Sequence, residues 1–144
     1  MTGTLDTPDT PNIIVRDSGF APEDWSLGFT PAAEATGDTQ AIDLPADSDL
    51  AGFALWPALR IIRIPFTSFA DGRGFTLARR LRLMGFQGRL RAHGHVIADQ
   101  YAMARRSGFD EVEIDAALAA RQPQAQWQAR ADWRAHDYQA RLRG

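Results

Sequence analysis

The chain of 144 residues has no cysteine and no lysine. The missing thiol excludes disulfides, thiolate metal sites, iron–sulfur ligation and a cysteine nucleophile together. No stretch approaches the roughly eighteen consecutive apolar residues of a membrane span. The N-terminus is acidic and proline-rich, unlike a secretory signal. A cytoplasmic protein with no membrane partner is therefore expected. All sixteen cations are arginine, the side chain suited to bidentate contacts with carboxylates and other oxyanions.

The formal charge of −2 conceals a segregation. Residues 1–59 carry −9, residues 60–106 carry +8 and residues 107–144 carry −1. Such a distribution has two readings. Either the acidic N-terminal part folds against the basic centre and each screens the other, or the centre faces an anion or an acidic partner. The arginines Arg79, Arg80, Arg82, Arg89 and Arg91 come without a recognised nucleic-acid motif, so no nucleic-acid partner is expected.

Length and patterning point to one α/β domain over residues 12–144 behind a Thr/Pro/Asp-rich, disordered tail at residues 1–11, with a basic core unit at 60–115. Asn12 to Arg16 reads as a short strand with Asp17-Ser18-Gly19 as its turn. Ala41 to Leu44 reads as a strand stopped by Pro45, and Asp47 or Ser48 as the cap of a short helix through Leu50, Phe53 and Leu55. Leu59 to Phe66 is the next strand. Leu77, Leu81 and Met84 then stand at i, i+4 and i+7 of a helix over residues 74–84, closed by Gly85. Gly88 to Gly94 is a third β-strand, Val96 to Ser107 a second long helix, and Glu111 to Asp115 a period-2 strand whose polar face suits a sheet edge. Helices over 116–121 and 125–142 end the chain, the last carrying Trp127, Trp133 and Tyr138. Strands alternating with helices imply βαβ units and a parallel sheet of about four strands, either open or like half of a β/α barrel.

In either arrangement the carboxyl ends of the strands gather ligands. That end would collect Thr67, Ser68, Asp71 and Arg73 from one loop, and His93, His95 and Asp99 from the next. The turn Asp71-Gly72-Arg73-Gly74-Phe75-Thr76 leaves a strand and opens a helix, where unpaired N–H groups attract anions. Leu77 occupies the third glycine position of a dinucleotide fingerprint, and the region where its acidic ribose partner would stand holds Arg89 and Arg91. A standard dinucleotide site is not expected. The residues assign no cofactor. Two readings of the turn are compatible. Asp71 caps the helix and Gly72 and Gly74 permit tight geometry, or Asp71, Gly72, Arg73, Gly74, Arg91 and Asp99 bind an anionic ligand, with Asp99 orienting Arg73 or Arg91. Asp71 and His95 are the candidates for moving protons. His93, His95 and Asp99 match no established metal signature, so no metal site is assigned.

The segments Pro65 to Phe75, Leu90 to Val96 with Asp99-Gln100, and Arg106 to Asp110 resemble the signature of a bacterial family known as domain of unknown function 934. Ile14-Val15-Arg16-Asp17 and Trp25 also fit, so the resemblance spans Asn12 to Asp115 and weakens in the tail. It implies a pathway more than a chemistry, because family members are typically encoded beside sulfite reductase and labelled on that ground as oxidoreductases of sulfite reduction. The family usually has a cysteine where Ser107 stands and an acidic residue where His95 stands. With no cysteine, the chain cannot hold siroheme–iron–sulfur chemistry in the usual way. The expectations are an accessory protein of assimilatory sulfate or sulfite reduction, with sulfite reductase or another sulfur-assimilation enzyme as partner; a small enzyme acting on an anion; or a silent module for a phosphate-bearing ligand.

Overall fold

A computed structural model describes residues 11–133. The expected tail at residues 1–10 and the end of the last expected helix, with Tyr138, lie outside the described residues. Among the described residues seven strands form one sheet: β1 (Ile13–Arg16), β2 (Gly19–Ala21), β3 (Thr30–Pro31), β4 (Ala41–Asp43), β5 (Ile61–Phe66), β6 (Arg89–Gly94) and β7 (Glu111–Ile114). The helices are α1 (Arg73–Leu83), α2 (Tyr101–Ser107), α3 (Ala116–Arg121) and α4 (Gln124–Gln128). The α/β class holds, with a sheet larger than four strands. Its spatial order is β2-β1-β7-β6-β5-β4-β3.

From β3 to β7 neighbouring strands pair in parallel and in sequence order. A sheet that advances one way through right-handed crossovers receives its helices on one face only. The helices of the described residues accordingly pack into one core cluster on a single face of the sheet. The β1–β2 hairpin, turning at Gly19 with φ of 120°, adds antiparallel strands beside β7.

The helix-covered face is apolar. Val15, Ile42, Ile62, Ile64, Phe66, Leu90, Ala92, Val112 and Ile114 meet Leu77, Ala78 and Leu81 of α1, Tyr101 and Ala104 of α2, Leu118 of α3 and Trp127 of α4 in one cluster. Phe66 is wedged between Phe75 at 5.0 Å and Phe109 at 5.8 Å between ring centroids. Burying this apolar surface is the main force holding the domain together.

Three sequence expectations need correction. No helix forms after Asp47 or Ser48. That connection is a string of turns, closed by Ser48 N–H on the Pro45 carbonyl at 3.0 Å and Phe53 N–H on the Leu50 carbonyl at 3.0 Å. Asp49 accepts from the Ala51 N–H at 2.9 Å, and Gly52 has φ of 91°. Local side-chain bonds of this kind compete with the helical ladder. Secondly, the helix after Val96 starts as a 3-10 turn over Ala98–Gln100 before α2. Gln100 is the reason, since its side chain accepts from the Ile97 N–H at 3.0 Å and donates to the Phe69 carbonyl at 2.8 Å. Thirdly, β7 is no edge strand, because β1 covers the side away from β6. All four of its residues are buried.

Candidate functional site

Two regions gather chemistry-bearing residues: the turn before α1 and the sheet face without helices. At the turn, Asp71 binds its own neighbour. Its carboxylate accepts from Arg73 Nε at 3.0 Å, Nη2 at 2.9 Å and the backbone N–H at 3.1 Å. These bonds hold the Asp71 carboxyl at about 2, so it is ionised throughout the neutral range and poorly suited to moving protons. Gly72, rather than Asp71, is the N-cap residue. The Arg73 head remains largely exposed. It lines a cleft of about 220 Å³ with Arg80, Thr76, Asp47 and Ser48.

The two glycines differ. A Cβ on Gly74 would collide with the Phe66 ring, whereas one on Gly72 would meet nothing nearer than Phe75 at 4.0 Å. Gly74 thus has a packing reason, beside the tight geometry and the ligand reading expected from sequence. Gly72 has no steric one.

The remaining residues proposed from sequence go elsewhere. His95 is exposed and stacks edge-on to Phe69 at 5.1 Å, on the same rim of the sheet as the turn. Asp99 pairs with Arg130 at 2.7 Å, in place of the expected Arg73 or Arg91. Arg91 has no exposed surface. It donates to Glu23 at 2.6 and 2.8 Å, to Glu111 at 2.7 Å and to Glu113 at 3.0 Å. No route for a ligand to Arg91 remains, so the expected constellation of Asp71, Arg73, Arg91 and Asp99 does not assemble. Ser107 is buried and donates to the Met103 carbonyl at 2.9 Å.

The helix-free face was not foreseen as a unit. The register sets Asp43 beside Arg63, Arg63 beside Arg91, Arg91 beside Glu111, and His93 beside Glu113. Because alternate residues share a face, these side chains all project away from the helices. Arg63 forks onto Asp43 at 2.6 and 2.9 Å and reaches Glu113 at 3.1 Å. Arg16 and Arg89 bind Glu111 at 3.0 and 2.7 Å. The segment from Pro22 to Phe29 closes over this ladder. Glu23 engages Arg91, Asp24 engages Arg16 and Arg89, and the Phe29 ring lies 3.9 Å from the Arg63 guanidinium carbon. The acidic N-terminal part thus folds onto the basic centre and screens it, the first of the two charge readings.

Burial alone would raise the Glu113 carboxyl. The hydrogen bond from Asn12 at 2.8 Å and the charges around it outweigh burial and leave it depressed. His93, at 3.6 Å from Glu113, is pushed below its ordinary value, mainly by burial. Among the described residues no three His, Asp or Glu side chains are placed to hold a metal, and no helix is long and apolar enough to cross a membrane.

A family model described as bacterial protein of unknown function (DUF934) matches residues 41–144. The chain belongs to this family. The match starts at Ala41, so β1, β2 and the Pro22–Phe29 segment precede it, and it runs through the tail where the sequence resemblance weakened. No curated protein and no solved structure matches the chain.

Proposed function

We propose that this DUF934 protein is an accessory factor of assimilatory sulfate or sulfite reduction that acts by docking on an enzyme of that pathway, such as sulfite reductase. One observation carries the docking half: the charged residues expected to clamp a substrate are already held in ion pairs. Asp71 holds Arg73, Asp99 holds Arg130, and Arg91 is enclosed by three carboxylates. The pathway half follows from the family's association with sulfite reductase genes. Having no thiolate, the chain leaves the reductase's own redox chemistry to its partner.

A second reading has the cleft between Arg73 and Arg80 in its favour. Two guanidiniums facing one small opening at the start of α1 suit a small oxyanion or phosphate-bearing ligand.

A deletion strain grown on sulfate, on sulfite and on sulfide tests the pathway. Growth loss on sulfate and sulfite with rescue by sulfide is expected, and equal growth on all three removes the assignment. Arg73→Ala, complemented into that strain, separates the two readings. Docking predicts full rescue, and the anion site predicts failure to rescue despite normal folding.

A further inference from the structure

We infer that the outward face of α1, centred on Arg79, Arg80, Leu83 and Met84, is the surface that meets an acidic protein partner. The inference rests on the accessory reading above and says where on this chain the contact is made.

The inward residues of α1 are Gly74, Leu77, Ala78 and Leu81, all buried. The outward side lacks any cover among the described residues. Leu83 is 82 % exposed and Met84 41 %. Single exposed leucines are common on protein surfaces, but this pair borders a groove. The groove, of about 360 Å³, runs between α1 and the turns after β4 and is lined by Asp49, Leu50, Ala51, Arg80, Leu83 and Met84. Leu50 packs partly against the core and offers its remaining surface there.

The charge on α1 itself is one-signed. α1 contains Arg73, Arg79, Arg80 and Arg82 and no acid. Two of the four are committed. Arg73 is bound by Asp71, and Arg82 is spent on the carbonyls of Phe86, Gly88 and Gly108 and on Asp110. Arg79 and Arg80 make no ion pair or side-chain hydrogen bond among the described residues. Asp49 lines the groove too, but its carboxylate accepts from the Ala51 N–H and pairs with neither arginine. Among the described residues Arg60 and Arg121 also lack a side-chain partner, but Arg79 and Arg80 are neighbours on one helix and Arg80 lines an apolar groove.

The chemistry that fits is a protein surface presenting carboxylates around one or two apolar side chains. The carboxylates would take Arg79 and Arg80 in bidentate geometry, and the apolar anchors would fill the groove. A second copy of this chain fits less well, because a two-fold contact between α1 faces brings arginines together.

Purified full-length protein titrated against purified sulfite reductase by calorimetry tests this. Expected is binding that weakens with added salt. It should fall about tenfold or more in Arg79→Glu/Arg80→Glu and, separately, in Leu83→Ser, while Arg121→Glu on α3 stays within about twofold. Thermal melts check that each variant folds, and the two α1 variants test the face independently. Wild-type binding that both variants retain overturns the inference and leaves the accessory reading standing. No binding by the wild type removes that reading and the inference with it. Self-association by sedimentation, lost in Leu83→Ser, overturns the acidic partner in favour of a second copy.

Discussion

The two faces of this sheet are built from the same strands on opposite principles. Leu90 and Arg91 are consecutive residues of β6, and neither has any surface in contact with solvent. Leu90 points into the helix-covered core, where any apolar side chain of suitable volume would serve. Arg91 points into the charged ladder, where every donor must find its own acceptor. The lesson is that burial and hydrophobicity separate here. One face is held by non-directional packing, the other by a set of ion pairs that is favourable only while complete.

The largest effect is expected from breaking that completeness. Arg91→Met should cost about 3–5 kcal/mol, because it removes the guanidinium shared by Glu23, Glu111 and Glu113 and leaves a buried cluster of carboxylates under-compensated. Leu90→Ala should cost about 2–5 kcal/mol through lost packing and a cavity. Urea unfolding at several pH values sharpens the contrast. Acid should narrow the gap between Arg91→Met and wild type, since protonated carboxyls no longer need the guanidinium, while the Leu90→Ala cost should stay constant. An Arg91→Met cost that does not change with pH would count against the ladder as the cause.

Gly74→Ala tests the apolar face at its tightest point. The added methyl meets Phe66, itself wedged by Phe75 and Phe109, and overpacking of this kind costs about 1–3 kcal/mol. A thermal melt unchanged from wild type would remove the packing reason for this glycine.

A smaller effect is expected from His93. Its folded value lies below the ordinary 6.5, so on acidification the unfolded chain takes up the proton first. Stability is full above that ordinary value and declines as pH falls below it. Glu113 and Glu23, both depressed in the folded state, add to the loss near and below the ordinary carboxyl range, because they too favour unfolding once protonated. His93→Gln should flatten the stability profile between pH 7 and 5 and leave the carboxyl-dependent fall below pH 5 in place. If the profile keeps its slope between pH 7 and 5, His93 is not its source.

The smallest structural effect belongs to Gly72→Ala, whose Cβ enters open space. Exchanging an N-cap glycine for alanine should cost no more than about 1 kcal/mol. Loss of rescue in the deletion strain with a near-native melt would mark the turn as a ligand site. Full rescue would leave it a structural joint.

Much of the fold was legible in the residues. The Leu77, Leu81 spacing marked α1, and the apolar run ending at Phe66 marked β5, because both signals come from burial on one side. The edge assignment of Glu111 to Asp115 failed for a specific reason. A strand with alternating carboxylates looks the same whether its polar side meets water or four arginines from elsewhere in the chain. The companions expected for the turn were misplaced for a similar reason. Arg91 and Asp99 lie in loops and strands that the chain order brings near the turn, but long-range partners at Glu23 and Arg130 claim them first. Phe66 alone explains Gly74, and nothing adjacent in sequence shows that contact.

By itself, the sequence determined the α/β class, the main helices and strands, the lack of thiol chemistry and the membership of a bacterial family. Those properties follow from composition, local periodicity and short motifs. Only the tertiary structure decided that the acidic N-terminal part and the basic centre neutralise each other across one sheet face, and that Arg79 and Arg80 stand without a side-chain partner among the described residues. Ion pairing depends on which charges meet in space, and that is set by strand order and register rather than by spacing along the chain.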